Sequence, residues 1–185
     1  GSGPAGLGTA FHIAENSGMS VLILEKTKIS SGGLRNDCKQ NYTFPVGFTT
    51  DLWQQDEADS LLDEVASHLK PEYIQQRNIE VYIKRALNLG VKLLDIRQAH
   101  VGTDKSKDLI AGLINSLEQK GVTVKLETEM SGIDYVRRRV TLADGSTAGF
   151  NKLVLAPGRA GYTWLQSVIE QLGVPYHDNI VDVGV

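Results

Sequence analysis

The hydrophobic residues of this chain fall into short continuous runs and into longer stretches with helical spacing. Residues 21–24 form a fully apolar run that ends at Glu25, a pattern typical of a strand buried on both faces of a parallel sheet. Residues 122–126 and 153–156 predict further strands of the same sheet. Helical segments separate these strands, so the pattern predicts an α/β fold.

Apolar side chains spaced three and four residues apart predict four helices. The first follows the opening glycines and runs to about residue 16, and the second begins near residues 49–51 and stops before Pro71. The third spans residues 79–89, and the fourth has Thr103 or Asp104 as its N-cap and ends at Gly121. Residues 91–96 predict a strand between the third and the fourth helix.

The chain opens on GSGPAG at residues 1–6, which has the G-x-G-x-x-G spacing of a dinucleotide-binding turn. In such a turn the first glycine allows a tight bend, the second lets the backbone approach a pyrophosphate, and the third lets the helix pack closely. The phosphates then meet backbone N–H groups at the positive end of the helix dipole. Because no strand precedes Gly1 to deliver this turn, we expect the chain to be an internal piece of a longer protein.

An acidic residue lies at the distance from the glycines that a dinucleotide site requires. Glu25 comes 19 residues after Gly6 and closes the apolar run of residues 21–24. A carboxylate about 20 residues beyond the glycines binds a ribose 2′-hydroxyl and would repel a 2′-phosphate, so NADP is disfavoured at this position. The alternative is a glycine-rich turn next to a solvated glutamate.

A different pattern fills residues 133–150, where short strands are predicted at 133–136, 140–142 and 148–150. Asp144 and Gly145 form a turn signal between the last two strands. A β-meander of this kind would be the crossover between two parallel strands, whereas an NAD-type Rossmann unit would use another helix. The meander therefore favours an FAD-type domain over an NAD-type domain.

These elements divide the 185 residues into four segments. Residues 1–33 are predicted to be the first part of the FAD-binding domain, and residues 34–99 an insertion on the substrate side. Residues 100–175 return to the domain, and residues 176–185 begin a following segment. The predicted fold is α/β, a Rossmann-like FAD-binding domain with a parallel sheet, a β-meander crossover and an inserted helical segment.

Composition argues against several other classes of protein. The chain is 41% hydrophobic with a formal net charge of −3, and no basic patch indicates a nucleic-acid partner. No apolar run reaches the length of a membrane span. Cys38 is the single cysteine, which excludes an internal disulfide and a dithiol redox centre and fits a cytoplasmic location. No cluster of His, Cys, Asp and Glu has the spacing of a metal site.

Four short motifs resemble a known family. They are SGGLRND at residues 31–37, HVGTD at 100–104, APGR at 156–159 and DVGV at 182–185. With the glycine turn and Glu25, they resemble the bacterial FAD-dependent dehydrogenases, often called NAD(FAD)-utilizing dehydrogenases, which have a glutathione-reductase-type FAD-binding fold. The resemblance covers most of the chain. It implies FAD as the cofactor and NADH or NADPH as the candidate electron donor.

The resemblance also implies which residues contact the cofactor. The glycine turn would hold the pyrophosphate, and Glu25 would hold the adenosine ribose. The backbone near Met130 would face the adenine, and residues 156–158 would pack on the far side of the cofactor. The full set of predicted cofactor-binding residues is Gly1, Ser2, Gly3, Pro4, Ala5, Gly6, Glu25, Lys26, Gly33, Met130, Ala156, Pro157 and Gly158.

The function that these features favour is an FAD-dependent oxidoreductase, in which the flavin carries hydride or electron transfer and the protein binds and orients it. A non-catalytic FAD- or NAD-binding module and a flavin monooxygenase are the alternatives, because one fold supports all three. The catalytic residues are not assigned, and candidates for substrate or phosphate contacts are Arg35 with Asp37, His100 and Arg159. The partner is an unidentified small molecule or redox protein, and we expect the piece to be inactive by itself.

Overall fold

The computed structural model describes residues 1–29, 32–36, 38–48 and 51–177. Five α-helices and seven short β-strands lie in this part of the chain. The helices are α1 (Pro4–Asn16), α2 (Gln55–Leu69), α3 (Ile79–Asn88), α4 (Thr103–Gln119) and α5 (Tyr162–Gln171). The strands are β1 (Leu22–Leu24), β2 (Lys39–Asn41), β3 (Gln98–His100), β4 (Thr123–Lys125), β5 (Met130–Asp134), β6 (Arg139–Leu142) and β7 (Thr147–Gly149).

The main core forms where α1 and α4 pack on a small parallel sheet. Strands β1 and β4 pair in parallel, with Leu22 opposite Thr123, which confirms the two strands predicted from the first and second apolar runs. Helix α1 and helix α4 both present apolar residues at helical spacing to this pair of strands. The buried residues of this core are Leu7, Ala10, Phe11, Ile23, Leu113, Leu117 and Val122.

The prediction of a third parallel strand at residues 153–156 is wrong. Residues 153–156 have no regular secondary structure, and Leu153 and Val154 are 37% and 57% exposed. A strand exists only where a neighbouring backbone supplies hydrogen bonds, and among the described residues no strand pairs with this segment. An apolar run read from sequence reports the preference of the side chains but does not reveal whether a partner strand is present.

Residues 130–149 form a second sheet, in which β5, β6 and β7 pair antiparallel in chain order. Residues 133–150 are all described and contain no helix. The turn between β6 and β7 holds Gly145 at φ 84°, and Asp144 Oδ1 accepts a hydrogen bond from the Ser146 N–H at 2.9 Å. The role of this sheet as the crossover between two parallel strands stays a prediction, because residues 153–156 do not form a strand.

The segment of residues 34–99 contains α2, α3 and an antiparallel pair of strands, β2 and β3. The strand predicted at 91–96 is displaced to Gln98–His100, because the pairing with β2 buries Ala99 beside Tyr42 and Leu62. Helix α2 begins at Gln55, later than predicted, because Gln54 and Glu57 form its capping box. Residues 49 and 50, where the start was predicted, lie outside the described residues.

The N-cap of α4 also differs from the prediction. Gly102 takes this position with φ 79°, and the helix itself begins at Thr103. The division of the chain into four segments remains a prediction, and residues 178–185 lie outside the described residues. None of the helices in the described part of the chain has the combination of length and apolar character that spanning a membrane requires.

Candidate functional site

The glycine turn leads directly into α1. Gly3 is the N-cap with φ −71° and ψ −179°, and Pro4 is the first residue of the helix. Proline suits this position because its φ is already helical and its missing N–H would have no acceptor within the helix. The first N–H groups of a helix lack intrahelical acceptors, and Gly3 provides no side-chain cap for them. These donors, at the positive end of the helix dipole, can hold an anionic group.

Two glycines of the turn are required by close contacts within the protein. A Cβ atom on Gly6 would overlap the carbonyl oxygen of Gly1. A Cβ atom on Gly1 would lie 2.7 Å from the carbonyl oxygen of Ala156. Backbone atoms cannot rotate away as a side chain can, so both positions exclude every residue larger than glycine. The structure therefore brings Gly1, Gly6 and Ala156 together, and their contact with a cofactor stays a prediction.

Gly3 is different, because nothing in the protein requires a glycine there. Its φ of −71° is accessible to any residue, and a Cβ atom built on it meets no protein atom within 4 Å. The open space lies at the N-terminus of α1, where the free helical N–H groups are. A ligand in contact with the backbone at this position would explain a glycine that the fold does not need.

Glu25 holds the glycine turn from the end of β1. Its side chain is buried, with 8% relative exposure. Oε2 accepts hydrogen bonds from the Ser2 N–H and the Ser2 hydroxyl, both at 2.8 Å. Oε1 accepts hydrogen bonds from the Thr27 N–H at 2.9 Å and the Thr27 hydroxyl at 2.8 Å. The carboxylate thus fixes the backbone of the turn at one oxygen and the backbone after β1 at the other.

The hydroxyl of Thr27 decides whether Glu25 has acceptor capacity left for a ligand. A carboxylate offers about four lone-pair positions, and the four donors would fill them. Thr27 Oγ1 also lies 2.6 Å from the carbonyl oxygen of Ile29, and its single proton can be donated to only one acceptor at a time. When the hydroxyl donates to Ile29, Oε1 of Glu25 can accept a hydrogen bond from a ribose hydroxyl.

The same hydrogen bonds set the charge of Glu25. Burial raises the pKa of the carboxyl, but the hydrogen bonds from Ser2 and Thr27 outweigh burial and lower the pKa from 4.5 to about 2. Glu25 is therefore ionised at all physiological pH values. A fixed negative charge at this place repels a ribose 2′-phosphate and favours a free 2′-hydroxyl.

The lowered pKa of Glu25 predicts a loss of stability in acid. A carboxyl whose pKa is lower in the folded state stabilises the fold above its unfolded pKa, and this contribution disappears as the pH falls through the folded pKa. Between pH 4.5 and about 2 we expect the Glu25 contribution, on the order of 3 kcal/mol, to vanish progressively. Urea denaturation of wild-type and Glu25→Gln protein at several pH values measures it. A difference between the two proteins that stays constant from pH 6 to pH 2 would contradict the assignment.

Lys26 and Met130 lie next to this site through the backbone of residues 127–129. The carbonyl oxygen of Glu25 accepts a hydrogen bond from the Thr128 N–H at 2.9 Å. Lys26 Nζ is 3.1 Å from Glu129 Oε1, and Met130 begins β5 immediately afterwards. Met130, predicted to face the adenine, thus lies two residues beyond the hydrogen bond between Thr128 and Glu25, and its role at a cofactor stays a prediction.

The remaining predicted cofactor-binding residues, Gly33, Pro157 and Gly158, lie in turns outside the glycine turn and the Glu25 hydrogen bonds. Gly33 lies in a 3₁₀ turn, Gly32–Arg35, which α4 anchors through a hydrogen bond from the Ser106 hydroxyl to the Arg35 carbonyl oxygen at 2.9 Å. Pro157 packs against Gly161, where a Cβ atom would lie 2.5 Å from the Pro157 Cβ. Gly158, at φ 67°, precedes a second 3₁₀ turn, Arg159–Gly161. Asp37, the predicted partner of Arg35, lies outside the described residues.

The sequence did not reveal that Thr27 and the hydroxyl of Ser2 donate hydrogen bonds to Glu25. The spacing Glu25-x-Thr27 is a usable signal, because a hydroxyl two residues from a carboxylate can bond to it locally. No comparable signal links Ser2 to Glu25, since the fold alone brings them together. In the part of the chain that the structure describes, no group of three or more His, Cys, Asp or Glu side chains could hold a metal ion.

Comparison with known families agrees with this geometry. Residues 1–65 match the family model of the NAD(P)-binding Rossmann-like domain. This match, together with the parallel pair β1 and β4, supports a Rossmann-like NAD(P)-binding domain at the start of the chain. The matched region contains the glycine turn, α1, β1 and Glu25, and it covers about the first third of the chain. No curated protein matches the chain.

Proposed function

We propose that this chain is the dinucleotide-binding part of an FAD-dependent oxidoreductase of the dehydrogenase or reductase type. The observation that carries the proposal is Gly3, a glycine that neither its backbone conformation nor any protein contact requires. It lies at the N-terminus of α1, beside the turn that Glu25 holds. A pyrophosphate in contact with the backbone there would need a glycine, which is the fit that a dinucleotide site demands.

FAD is favoured over NAD by the second sheet. Residues 130–149 form antiparallel strands where an NAD-type Rossmann unit would have a crossover helix. When bound, the flavin supplies the hydride or electron transfer. The residues of this chain bind and orient it, with residues 1–6 at the pyrophosphate, Glu25 and Lys26 at the adenosine ribose, Met130 at the adenine, and Gly33 and residues 156–158 against the remaining surface of the cofactor.

An NAD(P)-binding module without a flavin is the second candidate function. The description of the matching family, an NAD(P)-binding Rossmann-like domain, favours it. Titration of the full-length protein with FAD, NADH and NADPH separates the two, because the proposal predicts tight binding of FAD at the glycine turn. The ionised Glu25 predicts that NADPH binds this turn more weakly than NADH does.

Replacing Gly3 by alanine should weaken cofactor binding while the protein stays folded. The added methyl group meets no protein atom, and because glycine is preferred over alanine at a helix N-cap, the apoprotein should lose no more than about 1 kcal/mol of stability. Crowding a filled contact costs about 1–3 kcal/mol, so FAD affinity should fall about tenfold or more. Flavin absorbance of the purified full-length protein and calorimetric titration measure the effect.

Gly112→Ala is the matched control for this experiment. Gly112 lies in α4 and also has open space around a built Cβ atom. We expect this variant to keep wild-type flavin content. If Gly3→Ala protein retains flavin with unchanged affinity, the cofactor does not contact this turn and the proposed function is wrong.

A further inference from the structure

The hydroxyl of Thr27 has two acceptors and only one proton. Its Oγ1 lies 2.8 Å from Glu25 Oε1 and 2.6 Å from the carbonyl oxygen of Ile29. Neither the carboxylate of Glu25 nor a carbonyl group can supply a second proton. The hydroxyl therefore donates to one of these oxygens and turns a lone pair toward the other. The two arrangements differ only in the direction of the O–H bond.

Changing between these arrangements requires no movement of the backbone. The Thr27 N–H donates to Glu25 Oε1 at 2.9 Å, and the Thr27 carbonyl oxygen accepts a hydrogen bond from the Glu127 N–H at 3.0 Å. These two bonds fix the residue, and both acceptors of the hydroxyl already lie within hydrogen-bond distance of Oγ1. Rotation of the O–H bond is therefore sufficient.

The side of Glu25 that Thr27 contacts is the side open to a ligand. Ser2 is fully buried and holds Oε2 through its N–H and its hydroxyl. Thr27 is an exposed residue and holds Oε1. A ligand hydroxyl that approaches from solution therefore reaches Oε1 and competes there with the hydroxyl of Thr27.

We propose that Thr27 is a positioning residue that sets how strongly Glu25 selects a ligand with a ribose 2′-hydroxyl, an inference that rests on the proposed function. In the empty site the Thr27 hydroxyl donates to Oε1, because a hydrogen bond to a charged acceptor is stronger than one to a neutral carbonyl oxygen. A ribose hydroxyl takes its place at Oε1, and the Thr27 hydroxyl then donates to Ile29. Each ribose bond to Glu25 thus replaces an existing one, which reduces the gain from the 2′-hydroxyl.

Thr27→Val tests this role, because valine keeps the shape of threonine and removes the hydroxyl. The probes are ADP and 2′-deoxy-ADP, titrated calorimetrically into the full-length protein after its cofactor has been removed. In the valine variant the ribose displaces no hydrogen bond. We therefore expect the ratio of the dissociation constants, 2′-deoxy-ADP over ADP, to be about fivefold larger than in the wild type. Thr27→Ser keeps the hydroxyl and should restore the wild-type ratio.

The pKa of Glu25 in the protein without ligand provides a second measurement. Carbon-13 NMR of the side-chain carboxyl follows it, and the Glu25→Gln variant identifies the signal. We expect a higher pKa of Glu25 in Thr27→Val than in the wild type, because one hydrogen bond to the charged form is lost. Thr27→Ser should have the wild-type value. An unchanged pKa in Thr27→Val would show that the hydroxyl donates to Ile29 in the empty site, which overturns the proposal.

Thr103→Val is the matched control. The Thr103 hydroxyl also donates to a backbone carbonyl oxygen, that of Asn36 at 2.9 Å, but it does not contact Glu25. This variant should keep the wild-type ratio of dissociation constants and the wild-type pKa of Glu25. An equal change in Thr103→Val and Thr27→Val would show that the effect is not specific to Thr27, and the assignment would be wrong.

The titrations also distinguish this inference from the proposed function. If the proteins bind ADP and FAD but Thr27→Val has the wild-type ratio, Thr27 has no part in selecting the ribose hydroxyl and the proposed function stands. If neither ADP nor FAD binds to any of these proteins, the proposed function is wrong and the inference about Thr27 is wrong with it.

Discussion

Replacing Gly6 by alanine should destabilise the protein by about 3 kcal/mol or more and lower its melting temperature by roughly 10 °C. The new Cβ atom would overlap the carbonyl oxygen of Gly1, which is a backbone atom. Relief requires either α1 or the turn to move, and the turn is held by Glu25 through Ser2. Since α1 supplies three residues of the main core, its displacement also disturbs that core. Thermal and urea denaturation measure both quantities.

The same substitution two residues later should have the opposite effect. Gly8 is also in α1, but a Cβ atom built on it meets nothing within 4 Å. Alanine is favoured over glycine inside a helix by about 0.5–1 kcal/mol, so Gly8→Ala should be slightly more stable than the wild type. If both variants change stability equally, helix propensity rather than the contact with Gly1 governs position 6.

Replacing Glu25 by glutamine should destabilise the fold by about 1–3 kcal/mol and loosen the glycine turn. The amide offers one acceptor and one donor group, whereas the carboxylate receives hydrogen bonds at both oxygens. The hydroxyls of Ser2 and Thr27 can rotate to accept, but one backbone N–H must then face an NH₂ group. A buried donor without an acceptor costs about 1–3 kcal/mol. Urea denaturation at pH 7 measures the loss.

Glu129→Gln is the control for this experiment. Glu129 forms an exposed ion pair with Lys26, and its side chain is 52% exposed. Exposed pairs contribute about 0–1 kcal/mol, so this variant should unfold close to the wild type. An effect of Glu129→Gln as large as that of Glu25→Gln would mean that general charge balance, not the hydrogen bonds of the turn, is responsible.

Local spacing predicted four of the five helices and the first two parallel strands, but it did not predict α5. Helices α1 and α4 follow apolar stripes that the core then buries, and the runs at residues 21–24 and 122–126 become the paired strands β1 and β4. Such spacing is a local property of the sequence, so it can be recognised without knowledge of the rest of the fold. The start of α2 was missed because the capping box of Gln54 and Glu57 replaces the usual Ser, Thr, Asp or Asn at the N-cap.

Features that depend on distant partners could not be predicted from spacing. The segment 153–156 has the composition of a strand but gains no partner among the described residues. The glycine pattern predicted a turn at residues 1–6. It did not reveal that close contacts within the protein require glycine at positions 1 and 6, whereas no such contact requires it at Gly3. That distinction depends on the carbonyl oxygens of Gly1 and Ala156, whose positions only the tertiary structure determines.

The close approach of Gly1 to Ala156 has a consequence for the order of folding. These residues come from nearly opposite ends of the described chain, and contacts between distant residues form slowly because a long loop must close first. The local helices and the β6–β7 hairpin can form before that closure. The contact between Gly1 and Ala156 should therefore form only in a late kinetic phase of refolding, after most of the helical circular dichroism signal has recovered.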